Sequence, residues 1–260
     1  MGNVQTALGT IGLAHDGAGA EPAILFLHGV GSTKRVWQPQ LDHFGQSRRA
    51  IAIDYPGYGD SAFVAGATRD DYAQAAVAAL DAMGVDRAHI CGLSLGGVVA
   101  IAMHALAPER CLSLILADTF AVHPDGQGIY DRSVAASHDM RSLAEGRADF
   151  LLAQPADPSV RAEVIETMAG IDPAAYRIGA EAVWLADQRE RVAKIRVPTL
   201  VICGEDDKPT PPQLSEDLHA MIPGSRLALI PDAGHLTNIE QPKIFNRLVA
   251  DFVEDVETRG

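Results

Sequence analysis

Positive charge is scarce in this chain: 21 Lys and Arg stand against 34 Asp and Glu, a formal net charge of -13. A surface of that sign repels phosphate backbones and anionic headgroups, so neither a nucleic acid nor a membrane is an expected partner. Cysteine is scarce too, three in 260 residues, which is no disulfide framework. Cys91 and Cys203 each end an expected core strand and read as buried free thiols. No apolar run approaches the ~18 residues of a membrane span. The N-terminus has no charged region followed by an apolar one, so no signal peptide is read. Met1-Gly2-Asn3-Val4-Gln5-Thr6 fits a myristoylation pattern in form but has no polybasic neighbour to supply a second anchor. A soluble, cytoplasmic protein is therefore expected. No Cys or His cluster has metal-ligand spacing and no Gly-rich phosphate loop is present, so neither a metal nor another cofactor is expected. Repeats and low-complexity segments are also missing.

What remains is a chain that is 47% hydrophobic, enough for a sizeable core in one α/β domain or one domain with an insertion. Its central feature is Cys91-Gly92-Leu93-Ser94-Leu95-Gly96-Gly97. A short apolar, strand-compatible run, Ala88 to Cys91, precedes it. A helix-compatible run from Val98 to Ala107, closed by Pro108, follows. Gly-x-Ser-x-Gly on a strand-to-helix turn is the context of a nucleophile elbow. The turn is tight, so Gly92 and Gly96 keep side chains out of crowded space. Ser94 is lifted above the sheet edge, and the helix N-terminus points N–H groups at a developing oxyanion.

The surroundings alternate strands with helices. Ala23-Ile24-Leu25-Phe26-Leu27 reads as a parallel strand buried on both faces and ends in His28-Gly29-Val30-Gly31-Ser32. Val36, Trp37, Leu41 and Phe44 then recur at helical spacing. Ala50 to Asp54 is a strand followed by the turn cluster Tyr55 to Ser61; Asp54 reads as a loop anchor. Asp70 to Met83 is an amphipathic helix stopped by Gly84. Leu112 to Leu116, Val197 to Cys203 and Arg226 to Ile230 are further strands, and Ile239 to Val253 is a closing helix. This order argues a mostly parallel sheet covered by helices. Between residues 120 and 191 the alternation breaks into helical fragments bounded by prolines. That stretch is expected to be a helical cap, giving a core of 1–119 and 192–260.

Ser94, then Asp206 or Asp207, then His235 each fall just past a strand's C-terminal end, where open α/β sheets bind ligands. His235 is the one of nine histidines placed to take a proton from Ser94, with an aspartate fixing its tautomer. Trp184 and His28 are candidates for the pocket wall. Each has a competing structural role: Trp184 packing cap onto core, His28 hydrogen-bonding beneath its loop.

These motifs resemble the α/β-hydrolase-fold serine hydrolases over nearly the whole chain: His28-Gly29-Val30-Gly31, Gly57-Tyr58-Gly59-Asp60-Ser61, the Ser94 elbow, Gly204-Glu205-Asp206-Asp207 and Gly234-His235. Thr210-Pro211-Pro212, Trp37-x-Pro39-Gln40-Leu41, Pro108-Glu109-Arg110 and Gly234 to Pro242 are similar to the 3-oxoadipate enol-lactonase group. Asp54-Tyr55-Pro56-Gly57-Tyr58-Gly59 departs from that group's Asp-x-Arg-Gly-His-Gly. The resemblance implies Asp207 as the triad acid, three residues past Gly204. It implies the Val30 and Leu95 N–H groups as the oxyanion hole, and a small-molecule ester or lactone as substrate. An anionic substrate would need a local cation; Arg132, Arg141, Arg177 and Arg189 of the cap are candidates. Hydrolysis of a carbon–carbon bond and a non-catalytic ligand receptor are the alternative readings.

Overall fold

The strand-forming runs assemble into one eight-stranded sheet. The computed structural model describes residues 2–17 and 20–259; Met1 of the N-terminal pattern lies outside the described residues. The strands are β1 (Gly2–Thr6), β2 (Gly9–Asp16), β3 (Ala20–Leu27), β4 (Arg48–Ile53), β5 (Ala88–Leu93), β6 (Cys111–Ala117), β7 (Thr199–Gly204) and β8 (Arg226–Ile230), in the order β1-β2-β4-β3-β5-β6-β7-β8. From β4 to β8 neighbouring pairs are parallel, while β1 and β2 add an antiparallel edge. Helices on both faces bury the central strands completely; every residue of β5 and of β7 is buried. That is why these strands read as unbroken apolar runs instead of alternating ones.

Register brings the functional ends level. Leu27 pairs with Gly92 and Gly92 with Leu116, so the turns after β3, β5 and β6 open on one edge. The helices of this layer are α1 (Gln38–Phe44), α2 (Arg69–Ala82), α3 (Leu95–Leu106), α9 (Pro212–Met221), α10 (Thr237–Glu240) and α11 (Pro242–Arg259). α2 starts in a capping box, Thr68 with Asp71, which satisfies orphan N–H groups at its first turn. α3 is apolar all round and buried from Leu95 to His104, the signature of a helix enclosed in the core. The closing helix expected over 239–253 is two helices, because Pro242 cannot continue α10 and instead starts α11 at its first position. The β1–β2 hairpin was not anticipated; β1 is mostly exposed and carries little apolar signal.

Between β6 and β7 the chain forms α4 (Gly126–Ala136), α5 (Met140–Leu151), α6 (Pro158–Ala169), α7 (Pro173–Trp184) and α8 (Arg189–Val192). Its two legs are tied together where they leave the core. Val122 bridges Asp187, the Gln188 N–H donates to the Ala121 carbonyl at 2.7 Å, and the Gln188 side-chain amide donates to Val98 O of α3 at 2.7 Å. Among the described residues no helix is long and apolar enough to cross a membrane.

Candidate active site

The turn at Ser94 is strained as the motif requires. Ser94 has φ 56 and ψ -115, a left-handed conformation that L-residues avoid unless the surroundings enforce it. The enforcement is visible. Ser94 N–H donates to Ala117 O at 2.9 Å, and Thr119 Oγ1 donates to Ser94 O at 2.9 Å. A Cβ on Gly96 would fall 2.6 Å from the carbonyl carbon of Leu27, and one on Gly92 2.6 Å from Gly97 N. Both glycines are therefore obligatory for close packing of the turn against β3 and α3.

His235 reaches this serine from the loop after β8. Its Nε2 lies 2.9 Å from Ser94 Oγ, and its Nδ1 lies 2.9 Å from Asp207 Oδ2 and 3.1 Å from Oδ1. Asp207 is buried and its carboxylate also accepts from Thr210 N–H at 2.9 Å and Thr210 Oγ1 at 2.7 Å. Asp206 is exposed, its N–H donating to Ala233 O at 3.0 Å. Of the two aspartates, the structure brings Asp207 to the imidazole.

Two acids that sequence reasoning passed over hold this arrangement. Asp118 follows β6 with φ 49; it accepts from Gly204 N–H at 3.0 Å and Thr237 Oγ1 at 2.5 Å. Burial first, and then the neighbouring Asp207 charge, push its carboxyl well above the usual carboxylate range. Asp118, Cys203 and Asp207 approach one another closely enough to suggest a metal cluster. The Asp118 and Asp207 oxygens already accept hydrogen bonds, and burial pushes the Cys203 thiol up, so the donor set does not favour a cation. Glu240 bridges the α5–α6 connection and the His235 loop: one oxygen accepts from Gly234 and Leu236 N–H at 3.1 Å each, the other from Ala153 N–H at 2.7 Å. Asp118 sits in no motif, and Glu240, though it falls within the Gly234 to Pro242 stretch, shows its bridging role only through packing.

Ser94 and His235 open on a cavity of about 40 Å³, walled by Val30, Leu151, Val164, Met168, Trp184, Leu236, Arg147 and neighbours. Val30 lies in this wall and its N–H has no acceptor among the described residues. Leu95 opens α3, where an N–H has no carbonyl within the helix to bond. Trp184 is in the wall, stacked on Phe120 with centroids 5.9 Å apart. His28 is not in the wall. It is fully buried beneath the loop, Nδ1 2.9 Å from Gly29 O, against Tyr55 and Tyr58, and burial lowers its pKa. Its Nδ1 is engaged with the turn, while its Nε2 is buried without a partner among the described residues. The four arginines considered for a substrate carboxylate are engaged elsewhere: Arg132 with Asp125, Arg141 with Glu166, Arg189 with Asp187, and Arg177 with Ser137 Oγ.

With this geometry in hand, comparison with known proteins gives a consistent picture. The alpha/beta hydrolase family matches residues 24–248. The chain is similar to 3-oxoadipate enol-lactonase 1 of Acinetobacter baylyi, 28% identical over 95% of this chain and 94% of that one. It is similar to the pimeloyl-[acyl-carrier protein] methyl ester esterase of Neisseria meningitidis, 29% identical over 90% of this chain and 94% of the other. The crystal structure of the enol-lactonase from Burkholderia xenovorans superposes with a TM-score of 0.90 at 26% identity, covering 97% of this chain and 99% of that one.

Proposed function

The chain belongs to the alpha/beta hydrolase family and is a hydrolase enzyme, and from that premise we propose that Ser94, His235 and Asp207 cleave a small-molecule carboxylic ester or lactone through an acyl-enzyme. The observation that carries the reading is the continuous relay from Ser94 Oγ through His235 to Asp207, with 2.9 Å at each link, facing a walled cavity. His235 Nε2 takes the Ser94 proton as Oγ attacks the carbonyl. The Asp207 carboxylate accepts from Nδ1–H and so holds the tautomer and stabilises the imidazolium. The N–H groups of Val30 and Leu95 receive the oxyanion. His235 then protonates the leaving alcohol, and water, activated by the same imidazole, releases the acid. For a lactone, the leaving alcohol stays tethered, and the product is a hydroxy acid.

Residues 120–191 act in this reading as a cap over a core of 1–119 and 192–260, closing the substrate against the serine. The ester and lactone substrates in the relatives' names support the choice of acyl chemistry. The test is Ser94→Ala assayed on a panel of chromogenic esters and lactones. The expected loss in kcat is on the order of 10³-fold or more, with a small residual rate from the oxyanion hole and an unchanged melting temperature. Near-normal kcat in a folded Ser94→Ala protein would sink the mechanism.

A further inference from the structure

The cavity facing Ser94 shares part of its wall with a second, outer cavity of about 700 Å³, lined by Ile129, Leu143, Phe150 and Leu214 among others. Two residues belong to both walls, Arg147 and Trp184. Each carries a buried donor without a partner: Arg147 Nε and Trp184 Nε1. No hydrogen bond or ion pair of Arg147 occurs among the described residues. Among the described residues, that sets it apart from every other arginine between 120 and 191. Arg132, Arg141, Arg161, Arg189 and Arg191 all pair with carboxylates, and Arg177 donates to Ser137 Oγ. The one acid in the wall of the inner cavity, Glu163, is exposed and forms no ion pair with Arg147 among the described residues.

Placement on α5 explains how a cation came to be there. Met140, Leu143, Ala144, Ala148 and Leu151 make up the buried face of α5. Arg147 lies seven residues past Met140 and four before Leu151, on the same stripe. Arg147 is half-buried, but its Nε is buried on this apolar face without an acceptor, a poor structural element because buried donors are paired in all but a few cases. The inner cavity, about 40 Å³, holds roughly a few waters. A substrate larger than that has room to extend past Arg147 and Trp184 toward the second cavity, whose wall they share. There it meets two unpaired donors, one of them a planar cation suited to bidentate capture of a carboxylate.

We infer that Arg147, with Trp184 beside it, binds a carboxylate at the end of the substrate remote from the scissile carbonyl, so that the enzyme selects anionic esters or lactones. The assignment rests on Ser94 and His235 being the reacting pair. It also answers the charge problem: a chain of net charge -13 repels anions at long range and needs a local cation to retain one.

The test compares 4-nitrophenyl hemiglutarate, which keeps a free carboxylate, with methyl 4-nitrophenyl glutarate, its neutral ester. In Arg147→Gln and Arg147→Ala, kcat/KM on the anionic ester should fall about 10- to 100-fold further than on the neutral ester, mainly through KM. Arg147→Lys should recover part of the loss. Equal losses on both esters, or a wild-type preference for the neutral one, overturn the inference. A second readout does not depend on turnover. Glutarate should bind Ser94→Ala in calorimetry and fail to bind Ser94→Ala/Arg147→Gln; absence of binding to the single variant, or binding that survives in the double variant, overturns it as well. The two readings fail separately. Ser94-dependent turnover of the neutral ester upholds the hydrolase even if Arg147 is irrelevant. Arg147-dependent glutarate binding without turnover of either ester upholds the anion site and removes the acyl chemistry.

Discussion

Two Ser–His–carboxylate arrays lie at opposite ends of the same sheet. At the C-terminal end, His235 Nε2 and Nδ1 meet Ser94 Oγ and Asp207 Oδ2 at 2.9 Å each. At the N-terminal end, His89 Nδ1 lies 2.7 Å from Ser113 Oγ and Nε2 3.2 Å from Glu257 Oε1. The residue types and distances are nearly the same, yet the settings differ. Ser94 sits on a strained turn at φ 56, faces a cavity, and is followed by a helix N-terminus. Ser113 and His89 are cross-strand partners inside β6 and β5. There both residues belong to the sheet ladder, and no helix N-terminus follows the serine. A constellation becomes a candidate site through its surroundings: an accessible face, free donors and room for a reacting carbon. His89 and Glu257 line a cavity of about 750 Å³, but Ser113 is fully buried and outside its wall, so the hydroxyl meets no reacting carbon and Ser113–His89–Glu257 reads as a hydrogen-bond network tying β5, β6 and α11 together.

The largest effect expected from this contrast separates the two carboxylates. Asp207→Asn should lower kcat by about 10³- to 10⁴-fold, because the asparagine holds the imidazole in the wrong tautomer. Glu257→Gln should leave kcat within about twofold, and Asp206→Asn within about threefold. Steady-state kinetics on one chromogenic ester decides all of them. A larger loss at Asp206 than at Asp207 would refute the assignment of the acid, and a large loss at Glu257 would break the comparison itself.

How much of this could be read from the sequence depends on range. The elbow, the His28–Ser32 turn and the Gly204–Asp207 turn are local, because turn chemistry is written in a few consecutive residues. The parallel strands were legible for the same reason that they are buried on both faces. What escaped was set by packing at a distance. Glu240 matters through Gly234, Leu236 and Ala153 N–H groups, and Asp118 through Gly204 and Thr237. Arg147 escaped for another reason. The apolar stripe Met140, Leu143, Leu151 is visible in the sequence, and an arginine on that stripe was a signal available at the outset. Arg132, Arg141, Arg177 and Arg189 drew attention as cations, but each has found a partner in the fold.

A smaller effect concerns protonation of the second array. Ser113 O–H donating to Nδ1 and Nε2–H donating to Glu257 together suit a neutral imidazole. Burial, only partly opposed by Glu257, lowers the His89 pKa to about 4 from 6.5. The unfolded chain therefore binds a proton near 6.5 that the folded chain refuses until about 4. Stability is fully present above the unfolded value and is lost as pH falls between the two, by up to about 3 kcal/mol. Urea unfolding of wild type and His89→Gln at pH 7, 6 and 5 isolates the contribution. The stability gap between the proteins should shrink as pH falls; a gap that stays constant from pH 7 to 5 would show that His89 is not held neutral.

The smallest effect is the one that tells the two serines apart by stability instead of rate. Ser113→Ala removes a hydroxyl that is fully buried and bonded to His89. The fully buried imidazole Nδ1 loses its donor, so the variant should be destabilised by about 1–2 kcal/mol while kcat stays near wild type. Ser94→Ala reverses the pattern. Its hydroxyl faces a cavity, where water can take over the bond to His235 Nε2, and alanine endures the same φ no worse than serine. Stability should then change by less than about 0.5 kcal/mol while activity disappears. Paired urea melts and ester kinetics on the two variants give four numbers. A rate loss at Ser113, or a stability loss at Ser94 equal to that at Ser113, would mean that the two arrays do not divide structure from chemistry in the way their surroundings indicate.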